Sequence, residues 1–191
     1  MHPRTLPFTA ILAAATLTGC ASSRMSPVTS DTSPAAVRAD GSAYAMVRSS
    51  SGQDVGTVRF ASTDAGVHIT GTLTGLPPGL RGMHLHAVGR CDAPDFTTAQ
   101  GHFNPANAQH GLSNPSGPHA GDLPMLEVQP DGRAVLDFRT SRATLDPSSG
   151  RGLLDSDGTA IVIHAAQDDQ RSDPGGNSGA RIACGVLARA H

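Results

Sequence analysis

Seven side chains able to bind metal ions are the feature of this chain with the clearest chemical meaning. They are His84, His86, His102, His110, His119, Asp122 and His164. A closed tetrahedral site takes four protein ligands, so two separate sites would need eight. Seven suffice if one imidazole binds a metal through each ring nitrogen. That bridge requires the ring to give up its remaining proton, which brings metal binding and proton transfer together on one residue.

The spacing of these residues favours ligation over packing. His84 and His86 are two residues apart in a segment with strand character, so both imidazoles point to the same face and can reach one metal. A lone pair of this kind would be weak support. The next four ligands fall in a loop that Asn104-Pro105, Asn114-Pro115 and Gly117-Pro118 make rigid. Packing in a hydrophobic core does not explain histidines that are concentrated in such a loop.

Five ordered motifs resemble those of copper/zinc superoxide dismutase. They are Gly82-Met83-His84-Leu85-His86, Gly101-His102-Phe103-Asn104-Pro105, His110-Gly111, His119-Ala120-Gly121-Asp122-Leu123 and Gly179-Ala180-Arg181-Ile182-Ala183-Cys184-Gly185-Val186. The resemblance covers roughly residues 41–188, about three quarters of the chain. Chance agreement is improbable because the motifs match in order and in spacing as well as in residue type.

The resemblance implies one copper and one zinc per chain. The implied copper ligands are His84, His86, His102 and His164. The implied zinc ligands are His102, His110, His119 and Asp122. His102 is therefore the shared residue. The donor types agree with this division, because four imidazole nitrogens suit Cu²⁺, whereas three nitrogens and a carboxylate suit tetrahedral Zn²⁺.

Further residues take functions from the same resemblance. Arg181 matches the family arginine beside copper, where a guanidinium can hold a small anion; a surface ion pair is the simpler interpretation without the family context. Asp168 matches a carboxylate that joins a copper ligand to a zinc ligand, here His84 and His110, and fixes their ring orientation. The adjacent Asp169 is a competing candidate.

The implied reaction is superoxide dismutation. One superoxide is oxidised to O₂ while copper is reduced, and a second is reduced to H₂O₂ while copper is reoxidised. The expected catalytic residues are Arg181, which attracts the anion, and His102, which stores and delivers a proton. The implied purpose is protection of the cell envelope. The alternative is a periplasmic copper or zinc carrier on the same fold, which predicts loss of copper ligands or of the arginine, and none is lost.

The loop from Gln167 to Ala180 departs from the family. It is short and has no lysine, so the guiding charges of eukaryotic members cannot be transferred to it. Arg171 is the one cation of this loop, and we expect it to have a minor steering effect beside Arg181.

Short strands separated by turns must position these residues. Alternating apolar and polar residues and turn signals predict eight strands. These are Ala43 to Arg48, Val55 to Ala61, Val67 to Thr74, Met83 to Val88, Met125 to Gln129, Arg133 to Arg139, Thr159 to His164 and Arg181 to Leu187. Met125 to Gln129 and Arg133 to Arg139 are predicted to form a hairpin around Pro130-Asp131-Gly132. No segment has helical periodicity.

The prediction is therefore an all-β fold with two long functional loops, Gly89 to Leu123 and Gln167 to Ala180. The strand pattern favours an antiparallel sandwich or flattened barrel. The family resemblance makes it an immunoglobulin-like Greek-key β-sandwich that can equally be described as a flattened eight-stranded barrel.

The N-terminal region has the character of an export signal. Leu6 to Leu17 is apolar but too short to span a bilayer, and Leu17-Thr18-Gly19-Cys20 resembles the lipobox of bacterial lipoproteins. We expect a signal peptide over residues 1–20, acylation of Cys20, a flexible tether over 21–40 and the folded domain over 41–191. Ala21 favours anchoring of this periplasmic protein to the outer membrane. An ordinary signal peptide with a stray cysteine is the alternative.

Cysteine and charge content complete the expectations. Of three cysteines, Cys91 and Cys184 remain once Cys20 is acylated, and in an oxidising compartment they should form a disulfide, as the family resemblance also implies. The net charge of −2 gives no indication of nucleic-acid binding. Superoxide is the expected substrate, and the membrane is contacted through the lipid alone. Bacterial relatives differ in oligomeric state, so a homodimer remains open.

Overall fold

The computed structural model describes Met1 and residues 41–190. The predicted signal peptide and tether, including Cys20, lie outside the described residues apart from Met1. Among the described residues, no helix has both the length and the apolar character needed to cross a bilayer.

The described chain is built from short strands, as predicted. They are β1 (Ser42–Ser49), β2 (Asp54–Thr63), β3 (Gly66–Leu73), β4 (Gly79–Arg81), β5 (Met83–His86), β6 (Leu126–Val128), β7 (Ala134–Thr140), β8 (Ala160–His164) and β9 (Arg181–Arg189). One turn of 3₁₀ helix spans Thr97–Ala99. The all-β fold is confirmed.

The strands form one large and one small antiparallel sheet. The large sheet has the order β5-β8-β9-β1-β2-β3-β7, and the small sheet pairs β4 with β6. β4 is followed directly by Gly82 and edge strand β5, while a turn joins β6 to the opposite edge strand β7. The small sheet is thus covalently linked to both edges of a curled, half-barrel sheet. This arrangement places β5, which holds two of the histidines, at an edge where loops can reach it.

The main core lies on one face of the large sheet. In β3 the side chains of Val67, Ile69 and Leu73 are fully buried and alternate with outward-facing residues, as the sequence pattern predicts. Phe60 from β2 and Leu85 from β5 join the same buried cluster. Each such side chain contributes roughly 1.5–3 kcal/mol through burial. The core therefore fixes the backbone of β5 from which the metal-capable side chains project.

Two expectations about the connections were wrong. The predicted hairpin does not form a strand pair: the turn is present, with Gln129 N–H bonded to Arg133 O at 2.8 Å, but β6 pairs with β4 and β7 pairs with β3. The connection from Gly75 to Gly82 contains the unpredicted strand β4. A further long connection, which the predicted strand bounds already imply, runs from the end of β7 at Thr140 to the start of β8 at Ala160.

Candidate metal centre

Strand β5 is the element from which the centre is built. All four of its residues are buried, with Met83 and Leu85 in the core and His84 and His86 on the opposite face. One edge of β5 pairs with β8. Its other edge is covered by the long loop, since Leu85 N–H donates to Gly121 O at 2.9 Å and Phe103 N–H donates to Leu85 O at 2.8 Å.

These backbone contacts bring the loop ligands onto the strand. Isolated bridges pair His84 with Asp122 and His86 with His102. Gly121 allows this close approach, because a side chain there would collide with the carbonyl oxygen of Leu85. The loop therefore behaves as an irregular extension of the sheet edge, and this explains how ligands remote in sequence converge.

One group of ring nitrogens belongs to His84, His86, His102 and His164, here called the all-histidine cluster. Donor atoms of these four residues all lie within 4.8 Å of one another. Three of the nitrogens, His84 Nδ1, His86 Nε2 and His164 Nε2, are buried and have no hydrogen-bond partner. Leaving a buried polar atom unpaired costs free energy, so three such atoms converging on one point indicate a ligand.

The remaining nitrogen of each of these three rings has a partner. His84 Nε2 donates to Asp168 Oδ2 at 2.6 Å, and His86 Nδ1 donates to the Gln100 carbonyl oxygen at 2.7 Å. His164 Nδ1 donates to the Gly179 carbonyl oxygen at 3.1 Å. A ring that donates through one nitrogen presents a lone pair on the other. The protein thus presets the tautomer that a metal requires.

The second group joins His102, His110, His119 and Asp122, here called the carboxylate cluster. The Nδ1 atoms of the three histidines lie 3.0, 2.9 and 3.3 Å from Asp122 Oδ1, respectively. His119 Nδ1 is also 3.2 Å from His102 Nδ1. Ligands bonded at 2.0–2.1 Å to a tetrahedral zinc ion are about 3.3 Å apart. The four donor atoms therefore fit a zinc site.

His84 also has a donor atom within 4.8 Å of the donors of His102, His110 and Asp122. Its hydrogen bonding decides between the two clusters. Because His84 Nε2 is held by Asp168, only the unpaired Nδ1 is free, and that atom faces the all-histidine cluster. His119 supplies the fourth donor of the carboxylate cluster, and His102 is the histidine that both clusters share.

One buried carboxylate, that of Asp168, connects the two clusters. Asp168 uses one oxygen for His84 and the other for His110 Nε2 at 3.0 Å, the contact expected from the sequence; the competing Asp169 contacts Asn177 and nearby backbone instead. Burial raises the pKa of Asp168, but the bonds from His110 and His84 outweigh burial and hold that pKa well below its usual range. Asp168 is therefore a permanent negative charge between the two clusters.

The clusters differ in protonation. Burial lowers the pKa of His84 to about 4 and that of His164 to about 3, and it holds the pKa of His86 well below the usual value. Burial also lowers the pKa of His110, but Asp122 and Asp168 on its two sides outweigh burial and raise that pKa to about 9. At neutral pH the rings of His84, His86 and His164 are thus neutral and ready to bind a metal, whereas His110 holds a proton that a metal must displace.

Arg181 lies at the start of β9 beside the all-histidine cluster. Its two terminal nitrogens donate to the carbonyl oxygens of Phe96 and Gln100, each at 2.7 Å. A cavity of about 600 Å³ is lined by Arg181, His86, His102 and His164 among others. The guanidinium is thus clamped at the wall of an open cavity through which a small anion can reach the cluster.

The Cys91–Cys184 disulfide predicted from the sequence is present. It joins the segment just before Phe96 to β9, the strand in which Arg181 lies. The bond therefore ties β9, which carries Arg181, to the segment whose carbonyl oxygens hold its guanidinium.

Comparison with known proteins agrees with this geometry. The family described as copper/zinc superoxide dismutase matches residues 55–187. The chain belongs to the copper/zinc superoxide dismutase family. It is 41% identical to superoxide dismutase [Cu-Zn] 1 of Aquifex aeolicus over 75% of this chain and 86% of that protein. It is 40% identical to the superoxide dismutase [Cu-Zn] of Caulobacter vibrioides over 76% of this chain and 85% of that protein.

A crystal structure of a SOD-like protein from Bacillus subtilis has the same fold, with a TM-score of 0.72 and 41% sequence identity. The comparison covers 76% of this chain and 97% of the other chain. A point mutant of that protein gives a TM-score of 0.73. Relatives of this chain thus include a protein that is called SOD-like and not a superoxide dismutase. Whether the metal ligands are complete therefore has to be established for each chain separately.

All seven metal-capable residues predicted from the sequence are brought together, with Asp168 and Arg181 beside them. Sequence reasoning missed three contributors. Gln100 and Gly179 act through backbone carbonyls, which no side-chain pattern reveals. Asp173 contacts two ligand residues, and its position among other acids of the same loop gave no distinguishing signal.

Proposed function

We propose that this chain is a superoxide dismutase that binds copper in the all-histidine cluster and zinc in the carboxylate cluster. The observation that supports this most strongly is the set of three buried, unpartnered ring nitrogens that converge with His102 beside the cavity. Four nitrogen donors suit Cu²⁺, and three nitrogens with one carboxylate suit Zn²⁺. His102 would serve both metals, through Nδ1 toward the carboxylate cluster and through Nε2 toward the other.

Bound copper would supply one-electron redox chemistry by alternating between Cu²⁺ and Cu⁺, which zinc cannot do. The protein's own task is to bring superoxide and protons to that point. Arg181 attracts and orients the anion at the cavity wall, because its guanidinium is fixed by two carbonyl oxygens. Two superoxide ions and two protons become one O₂ and one H₂O₂.

His102 is the proton-handling residue in this proposal. Its Nδ1 is directed at Asp122, so Nε2 is the atom at which a proton can be held and passed to the substrate. The His102 side chain also lines the cavity, which gives it access to the anion that Arg181 holds. Proton storage and anion binding are thereby placed in one cavity.

We also propose that the mature protein lies in the periplasm, anchored by lipid on Cys20, and protects the cell envelope. The support is the sequence Leu17-Thr18-Gly19-Cys20 after a short apolar stretch. The mass of the mature N-terminal peptide tests this proposal. A peptide that begins at acylated Cys20 is expected, and an unmodified N-terminus elsewhere would contradict it.

Metal loading tests the enzymatic proposal. Protein loaded with copper and zinc should remove superoxide rapidly, whereas protein loaded with zinc alone should not. The alternative, a copper or zinc carrier on the same fold, predicts tight metal binding with equal inactivity in both preparations. The carrier alternative is included in the test because one relative is called SOD-like and not a superoxide dismutase.

A further inference from the structure

Five of the six clustered histidines have an outer partner for the ring nitrogen that faces away from the metal position. The sixth, His102, belongs to both clusters. Four of these rings are held by Asp168, which serves two of them, and by the carbonyl oxygens of Gln100 and Gly179. The fifth ring is that of His119. Its outer nitrogen, Nε2, lies 3.4 Å from Oδ1 of Asp173.

Asp173 is itself held in place by the ligand segment. Its Oδ1 accepts a hydrogen bond from the backbone N–H of His110 at 2.6 Å. One oxygen atom therefore meets the backbone of one ligand residue and the ring of another. His119 Nδ1, on the far side of that ring, is directed at Asp122.

We propose that Asp173 is a positioning residue for His119: its Oδ1 favours the tautomer with hydrogen on Nε2 and turns the Nδ1 lone pair toward the zinc position. A carboxylate behind a metal-binding histidine commonly has this effect, and its loss typically costs 10–100-fold in metal affinity. The proposal rests on the proposed zinc site in the carboxylate cluster. It adds a residue of the loop Gln167 to Ala180 to the machinery of that site.

The position of Asp173 also links zinc binding to the shape of the cavity. Asp173 and the residues after it, Pro174 and Gly175, line the cavity beside His102 and His119. The Asp173 side chain is 49% exposed, whereas that of Asp168 is fully buried. Asp173 thus contacts the carboxylate cluster from the solvent side, through His119, and Asp168 contacts it from the protein interior, through His110.

The two carboxylates respond differently to replacement by asparagine. Asp168 uses both oxygens, one for each histidine, so an amide there would turn an N–H toward one of the rings. Asp173 makes both contacts through Oδ1 alone, so the amide oxygen of asparagine can accept both. Asp173→Asn should therefore keep the positioning effect that Asp173→Ala loses.

Zinc affinity of copper-free protein, measured by competition with a chromophoric chelator, tests the proposal. Asp173→Ala should bind zinc at least about tenfold more weakly, and Asp173→Asn should stay within about threefold of the unmodified chain. With Co²⁺ in place of zinc, the visible spectrum of Asp173→Ala should change and that of Asp173→Asn should not.

Asp169→Ala is the matched control. Asp169 orders the same loop by accepting bonds from Arg171, Ser172 and Asn177, but no hydrogen bond or ion pair joins it to a ligand histidine within the described part of the chain. If Asp169→Ala weakened zinc binding as much as Asp173→Ala, loop order would explain the loss and the proposal would be overturned. Unchanged affinity in Asp173→Ala would overturn it too. Failure of the unmodified chain to bind zinc would instead contradict the zinc site itself.

Discussion

The Oδ2 atom of Asp168 lies 2.6 Å from the Nε2 atom of His84, and neither side chain is exposed. The other oxygen of the same carboxylate holds a ring of the second cluster. A single buried charge therefore orients ligands of two metal positions.

Asp168→Asn should weaken metal binding, because an amide offers one acceptor where two ring N–H groups need one each. We expect zinc affinity to fall about 10–100-fold, measured by chelator competition. Asp169→Asn, a neighbouring change of the same charge, should leave the affinity near that of the unmodified chain. Equal affinity in the two variants would show that the Asp168 contacts do not orient the ligands.

Zinc binding should release a proton from His110. Copper binding should release none from the three unpartnered rings of the all-histidine cluster. In metal-free protein the pKa of His110 is raised to about 9, so this ring is protonated at neutral pH and must lose a proton when zinc occupies Nδ1. The pKa values of His84 and His164 are lowered to about 4 and about 3, so those rings are already neutral.

Calorimetric titration in buffers of different ionisation enthalpy measures this release. About one proton per zinc from His110 is expected near neutral pH, and the number should decrease as the pH rises through about 9. A release that does not change across that pH range would contradict the assignment to His110.

Arg181→Ala should lower the dismutation rate by about tenfold or more, the lower end of the range for electrostatic attraction of a charged substrate. Copper affinity should not change, because Arg181 contacts carbonyl oxygens and is not a ligand. The rate of Arg181→Lys should lie between the rates of Arg181→Ala and of the unmodified chain, since an ammonium keeps the charge but loses the planar clamp. An unaltered rate in Arg181→Ala would remove the anion-binding function.

Arg171→Ala tests whether a cation besides Arg181 helps to steer superoxide. A small decrease in rate, with a weaker dependence on salt, is expected because Arg171 adds positive charge near the cavity without lining it. If the rate and its salt dependence stay the same, Arg171 has no steering effect.

Replacing Cys91 and Cys184 by serine should lower the free energy of unfolding by about 4 to 5 kcal/mol on the chain-entropy model, given a sequence separation of 93 residues. Denaturant unfolding of the metal-free protein measures the difference. The variant should also lose dismutation rate, because the bond joins the segment that clamps Arg181 to β9. Full stability in the variant would contradict the structural importance of the bond.

The sequence predicted the ligands better than the connections between strands. His84 and His86 could be placed on one face because a strand alternates with period two, and the motifs located the other ligands. The pairing of β6 with β4 could not be predicted from Pro130-Asp131-Gly132. That turn signal specifies a reversal of the chain, whereas the partner of each strand depends on which sheet edge is free.

Contacts made by backbone carbonyls and by acidic residues of the loop could not be predicted from the sequence, for a related reason. Asp168, Asp169 and Asp173 lie in one polar loop, and only Asp168 could be singled out, through the family resemblance. The difference between Asp169 and Asp173 arises from the path of the loop in space, which brings Asp173 to His119 and leaves Asp169 to order its own neighbours. Family motifs do not encode that path.

His102 is the ligand that both metals would share, and the electron paramagnetic resonance spectrum of the copper form tests this sharing. Spectra of the protein with copper and zinc should be compared with spectra of the protein with copper alone. Because the two metals would share one imidazole, removal of zinc should change the copper spectrum. An unchanged spectrum would contradict the shared ligand and with it the coupling of the two sites.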